Sequence, residues 1–224
     1  MNPYRLIARF YDHYLDESLY QDFLSLIQTE ITSGYALDLA TGTGQMAFVL
    51  AKNSFKVDAV DISIDMLKEA KKHLSTTNLP ITFHVHDILE PMTSTNYDVV
   101  TLASDVVNHL STIEDVSRVF HSIYESLKPG GIFVFDAIHE DFMNSLVGYE
   151  DVLLLDQKKL YWSVKKENNH AVRHLIRVDQ DEATLIQYVY SIEELTKHLL
   201  LNKLNILKKV RTSERTMFLI KKEQ

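Results

Sequence analysis

The 224-residue chain has no cysteine. That excludes disulfides, thiolate metal ligands and a thiol nucleophile. It has no apolar run near the roughly 18 residues that a membrane helix needs. The opening stretch, "MNPYRLIARFYDHYLDE", is too polar and too acidic for a signal peptide. No serine stands in a G-x-S-x-G context. Positive charge is short: 23 Lys and Arg face 31 Asp and Glu, a formal net charge of -8 with His neutral. Nucleic-acid binders usually carry a basic footprint, so neither a nucleic acid nor a membrane is expected as partner. The one basic cluster, "KKVRTSERTMFLIKK", alternates with apolar residues and reads as solvated faces of two terminal strands. What is present is an ordinary apolar fraction, 46%, enough for a substantial core. A soluble cytoplasmic protein with a small-molecule partner is the simplest expectation. A homodimer stays open.

Residues 4–30 carry apolar side chains at helical spacing and predict two helices. "YALDLA" predicts a buried strand and "GQMAFVLAKNS" a helix. "KVDAVDI" is a second strand, and Ser63 can cap the helix "IDMLKEAKKHLSTT". "ITFHVHDI" and "YDVVTLAS" are the third and fourth strands. "IEDVSRVFHSIYESL" is a helix stopped by Pro129 and two glycines, and "GIFVFDAI" the fifth strand. Alternating strands and helices imply a parallel sheet covered on both faces. From about residue 148 the rhythm changes to strand-like runs split by turns, an antiparallel meander. The helix "IEELTKHLLLNKL" and the strands "NILKKV" and "TMFLIKK" follow. The expected organisation is an α/β core over 1–148, an antiparallel β insert over 149–190, and a last helix and strands over 191–224.

"ALDLATGTGQMA" is the first candidate site. Gly42 and Gly44 let the chain bend sharply after a strand and let a ligand approach without a Cβ in the way. The free N–H groups at the following helix start can hold an acceptor. Gly42, Gly44 and Ala47 satisfy G-x-G-x-x-[GA], a weak pattern alone, and an ordinary strand–helix turn remains open. Asp61 ends the second strand, close to the roughly 20-residue spacing of a ribose-binding acid. Its bland reading is a helix cap, a place Ser63 fills better. Together these residues point to an adenosine-containing cofactor. Asp38, four residues before Gly42, disfavours a pyrophosphate and suits an amino group and a sulfonium. Asp87, at the end of the third strand, can accept from an adenine amino group, or can be a turn acid.

At these residues the chain resembles the class I S-adenosylmethionine-dependent methyltransferases. "LDLATGTG" is similar to their glycine motif, "VDISIDML" to the second motif, "HVHDI" to the third, and "YDVVTLASDVVNHL" and "LKPGGIFVFD" to the fourth strand and the approach to the fifth. "YRLIARFYD" and "SDVVNHL" are similar to stretches of smaller bacterial members, with Ser104 and His109 in place of Cys and Tyr. The resemblance covers about residues 4–138, with "TMFLIKK" as the final strand. It departs where the third glycine often stands; here that residue is Met46. It implies a Rossmann-like seven-stranded sheet, mostly parallel with an antiparallel last strand, and S-adenosyl-L-methionine as cofactor. It implies that Asp38, with backbone from Ala40 through Thr41 to Gly44, orients the methionine amino group. Asp61 would hold the ribose hydroxyls. Ile62 and Met66 would sandwich the adenine, and Asp87 with Ile88 would read its edge. Tyr4 and Tyr11 would cover the methionine end, and Ser104 and Asp105 would lie nearest the methyl group.

The expected function is in-line methyl transfer to N or O of a small molecule. Orientation can supply about 7 to 11 kcal/mol, so a general base is optional. Candidates are Asp105, His109, Tyr11 and His139, each with a structural reading of its own: a helix cap, a helix-face His, a packed Tyr and a loop His. Asp105, His139 and Trp162 are the acceptor-side candidates. Trp162 can instead pack the insert against the core. No metal is expected: His84 with His86, and His170 with His174, lack a third ligand. Two alternatives stay open, a nicotinamide oxidoreductase and a non-catalytic cofactor-binding protein.

Overall fold

The computed structural model describes residues 3–92 and 94–223. The chain opens with a short helix, α1 (Pro3–Ile7), a 3₁₀ turn at Tyr11–Tyr14 and α2 (Glu17–Gln28). Asp16 caps α2 by accepting from Ser18 N–H, 2.9 Å. Six elements follow, strands and helices alternating up to β3: β1 (Gly34–Leu39), α3 (Gln45–Lys52), β2 (Phe55–Asp61), α4 (Ile64–Leu74), β3 (Ile81–Val85) and β4 (Tyr97–Leu102). A 3₁₀ turn at Val106–His109 leads to α5 (Ile113–Ser126), β5 (Leu127–Ile138) and α6 (Glu140–Ser145). Then come β6 (Glu150–Leu155), β7 (Lys158–Asn168), β8 (Ala171–Val178) and β9 (Asp181–Tyr188). The chain closes with α7 (Ile192–Leu201), β10 (Leu204–Arg211) and β11 (Arg215–Lys222).

The main sheet has seven strands in the order β10-β11-β5-β4-β1-β2-β3. Strands β5, β4, β1, β2 and β3 pair in parallel, and β11 runs antiparallel to both its neighbours. Successive strand residues face opposite sides, which builds two cores. Ala36, Val57, Ala59 and Val99 meet α2 and α3 on one side, while Leu37, Val60, Val100 and Leu102 meet α5 and α7 on the other. Strands β6–β9 form a separate antiparallel sheet of four, in sequence order. No helix among the described residues is long and apolar enough to cross a membrane.

Three boundaries differ from the sequence expectation. The first helical stretch breaks into α1 and a 3₁₀ turn, because Ile7, Ala8 and Phe10 pack against the insert at Leu160, Ile176 and Val178. Strand β5 begins at Leu127, before Pro129 and the glycines, because Leu127 still pairs with Tyr97. The register then slips before Val99 meets Ile132, and Gly130 absorbs the bend at φ 77°. Helix α7 stops at Leu201 because Lys203 turns left-handed, φ 57°.

Candidate active site

The turn after β1 is built on positive φ angles: Ala40 at 51°, Gly42 at 57° and Gly44 at 90°. Gly44 is the N-cap of α3, and its N–H donates to the carbonyl of Thr41, 2.9 Å. Asp61 ends β2 one step beyond Val60, which pairs with Leu39. Its carboxylate accepts from Gly42 N–H at 2.8 Å and from Ser63 N–H at 2.7 Å. One acid thus ties two turns together and keeps lone pairs for a ligand. Ser63 caps α4, its hydroxyl accepting from Met66 N–H at 3.3 Å. Asp38 is buried and accepts from the hydroxyls of Thr41 and Thr101.

A cavity of about 180 Å³ opens over this turn. Tyr4, Tyr11, Ala40, Gly42 and Asp61 line it, with Ile62, Met66, Asp87, Ile88 and Ser104. A narrower cleft of about 30 Å³ reaches Asp38, Thr41, Tyr11 and Tyr20. Gly44 lines neither and acts through the backbone. The donor set fits a nucleoside carrying a cationic amino-acid tail: a carboxylate for a diol, a buried carboxylate for positive charge, and apolar side chains for a base. Burial raises Asp61 against the pull of its two N–H donors. Burial pushes Asp38 up to about 6 despite its hydroxyl donors. A ligand ammonium needs Asp38 ionised. Lowering the pH from 7 to 5 should therefore weaken S-adenosylmethionine binding about tenfold, and Asp38→Asn should flatten that dependence. Calorimetry at both pH values measures it.

A second cavity, of about 380 Å³, lies among the N-terminal segment, the insert and the carboxyl ends of the core strands. Its floor is polar. Ser104 and Asp105 follow β4 with two left-handed residues in a row, φ 66° and 50°. Strain of this kind persists only where the surroundings impose it. Here Asp105 N–H lies 3.1 Å from both oxygens of Asp136, and Ser104 Oγ lies 3.0 Å from Tyr20 OH. Arg215 Nη1 sits 2.5 Å from Asp136 and 3.5 Å from Asp105. His109 Nε2 is 3.6 Å from Asp105 Oδ2, and its Nδ1 is buried without a hydrogen-bond partner among the described residues. Burial pulls Asp105 upward, but His109 and Arg215 hold its carboxyl below the usual range. Tyr4 and Tyr11 are raised by burial, so both hydroxyls are donors at neutral pH.

A relay runs from the insert to this floor. Indole N–H can only donate. Trp162 Nε1–H therefore donates to His174 Nδ1 at 3.0 Å, and His174 Nε2–H donates to Gln187 Oε1 at 2.7 Å. That fixes the amide: Gln187 Nε2 donates to Asp105 Oδ2 at 2.6 Å and lies 3.3 Å from His109 Nε2. Burial lowers His174 to about 4, so it stays neutral. Trp162 both lines the cavity and packs edge-on to Tyr14 at 4.7 Å. His139 does not line it; it is the N-cap of α6, with Nε2 2.9 Å from Thr216 Oγ1. No group of three metal-ligating side chains occurs among the described residues.

The sequence reading passed over Asp136, Arg215, His174 as a neutral relay, Gln187 and Asp12. Asp136 had a signal, an acid inside the apolar run "FVFDAI", the same kind that marks Asp38. Asp12 accepts from Thr43 Oγ1 at 2.5 Å, which pins the N-terminal segment to the glycine turn. Nothing local to Gln187 or Arg215 marks them, since Gln187 meets Asp105 across 82 residues of sequence and Arg215 meets Asp136 across 79.

The fold is that of the class I methyltransferases, the class that uses S-adenosylmethionine. Residues 36–131 match the family model described as a methyltransferase domain. The chain is 34% identical over 157 residues to the candidate methyltransferase YqeM of Bacillus subtilis (strain 168), covering 69% of this chain and 62% of that protein. It is 30% identical over 139 residues to the ubiquinone biosynthesis O-methyltransferase of Coxiella burnetii (strain RSA 493 / Nine Mile phase I), covering 59% and 57%. The chain spans about three fifths of the length of these curated relatives. A solved S-adenosylmethionine-dependent methyltransferase from Clostridium acetobutylicum ATCC 824 has the same fold, with a TM-score of 0.81 and 24% identity over 97% of this chain and 96% of that one. An amino pentose methyltransferase from Micromonospora echinaspora, solved with S-adenosylmethionine bound, gives 0.75 and 16% over 96% and 95%. The chain thus carries a methyltransferase domain of this class.

Proposed function

We propose that the protein moves a methyl group from S-adenosylmethionine to a nitrogen or oxygen of a small molecule held between core and insert. The observation that carries this reading is the meeting of the two cavities: Tyr4, Tyr11, Ser104 and His109 line both. Bound S-adenosylmethionine supplies a methyl group made electrophilic by a sulfonium charge. Asp61 would hold the ribose diol with the lone pairs left over from Gly42 and Ser63. Asp38 would offer negative charge to the methionine amino group, with Thr41 and Thr101 fixing its carboxylate. Ile62 and Met66 would flank the adenine, and Asp87 with Ile88 would meet its edge. Tyr4 and Tyr11 would close the site against water, and Ser104 and Asp105 would face the transferred group. Trp162 would wall the acceptor.

Alignment does most of the work in such a site, worth about 7 to 11 kcal/mol. Proton removal adds about 10² to 10⁴-fold where it is used. His109 at the junction would take that proton, and Asp105 would offset the imidazolium charge. Tyr11, a buried phenol, would act as donor and wall rather than as base. One similar structure is named an amino pentose methyltransferase and one relative an O-methyltransferase, which supports a small-molecule acceptor.

Titration calorimetry with S-adenosylmethionine, S-adenosylhomocysteine and NAD tests the reading. Micromolar binding of the first two and none of NAD is expected. Asp61→Asn should weaken both by about 10- to 100-fold, because charge-assisted hydrogen bonds run to about 1.5 to 3 kcal/mol. Binding of NAD alone, or unchanged affinity in a folded variant, would overturn it.

A further inference from the structure

The floor of the larger cavity carries more negative than positive charge. Asp16, Asp105 and Arg215 line it, and Asp136 lies directly beneath. Asp105 and Asp136 therefore share one guanidinium, which Asp136 holds at 2.5 Å, and Asp16 adds a further carboxylate at the exposed rim. His174 adds no positive charge, since the relay uses it as a neutral donor. Gln187 spends an amide N–H on Asp105 without neutralising it. The walls are aromatic: Tyr14, Tyr149 and Trp162. Aromatic faces attract cations, and tryptophan most of all. His109 lines both this cavity and the cofactor cavity, and so stands at their join.

We infer that the acceptor is an amine, held as its ammonium ion between the carboxylates of Asp105 and Asp16 and the rings of Trp162, Tyr14 and Tyr149. The inference rests on the methyl-transfer reading and names the acceptor class within it. A carboxylate ligand would meet net repulsion here, and a hydroxyl would leave the excess charge unmatched. Transfer needs the free amine. One proton passes from the ammonium to His109. The nitrogen lone pair then forms the N–CH₃ bond while the S–CH₃ pair returns to sulfur. A neutral thioether and a methylated ammonium result, so the cavity holds a cation before and after.

Benzylammonium, benzyl alcohol and benzoate form the test, titrated by calorimetry into the full chain with and without saturating S-adenosylhomocysteine. Benzylammonium should bind at least tenfold more tightly than benzyl alcohol, with benzoate weakest. Asp105→Asn should cut that preference to twofold or less. Should that variant fail to fold, Asp16→Asn at the exposed rim should narrow the preference at least threefold. Benzyl alcohol or benzoate matching the ammonium, no binding of any of the three, or a preference untouched by the folded variants would overturn the inference. Failure of the methyl-donor reading shows separately, as absent S-adenosylhomocysteine binding while the ammonium preference persists.

Discussion

Replacing Arg215 by methionine should cost about 3 to 5 kcal/mol of stability at pH 8, the range seen when one partner of a buried ion pair is removed. Asp136 is fully buried, and burial pushes it up to about 6 even with the guanidinium beside it. Without Arg215 its pKa rises further, and at pH 8 the folded variant must either bury a lone charge or pay to protonate it. The sign follows from linkage. A carboxyl whose folded pKa lies above its unfolded value favours folding when protonated, and that contribution is lost as pH rises through the folded pKa. The cost of Arg215→Met should therefore shrink as pH falls to about 5.5. Urea unfolding of both proteins at the two pH values measures it. Equal losses at both would place the cost in lost packing rather than in charge. Methionine keeps much of the stem volume, which makes the comparison clean.

The two glycines of the turn should behave differently. Gly44→Ala is expected to cost about 2 to 5 kcal/mol, from a left-handed residue and an overfilled core. A Cβ at Gly44, where φ is +90°, would meet Phe48 at 3.0 Å, Phe83 at 3.2 Å and Ala70 at 3.3 Å. At Gly42, where φ is +57°, it would meet only Tyr11 Cε1, at 3.6 Å. Gly42→Ala should therefore cost about 1 to 2 kcal/mol, the left-handed penalty alone. Chemical denaturation of the pair checks the order. A loss at Gly42 equal to that at Gly44 would contradict it. In packing, the glycine pattern is a requirement of α3 against its neighbours as much as of any ligand.

Why some of this was legible and some not is a matter of range. Asp38 and Asp61 stand out because an acid inside or ending an apolar strand is conspicuous, and the turn residues are consecutive. The sheet was legible for the same reason: each strand buries a short apolar run next to a helix with its own period. Asp136 carried the same mark and was passed over, since "FVFDAI" has no glycine turn after it. Gln187 and His174 look like ordinary strand residues until β8 and β9 bring Gln187 to Asp105, in the turn after β4, with His174 behind it. The paired left-handed residues Ser104 and Asp105 had no glycine to announce them; the surrounding hydrogen bonds impose the shape. The start of β5 was hidden because Pro129 reads as a stop, and pairing of Leu127 with Tyr97 outweighs it.

The strip from Tyr4 to Tyr14 touches everything that matters. Asp12 fastens it to the glycine turn through Thr43, and Tyr14 fastens it to the insert through Asp151, at 2.8 Å. Tyr4 and Tyr11 face both cavities. One wall is thus common to two rooms, so a change at Tyr4 or Tyr11 would be felt by whatever each room holds.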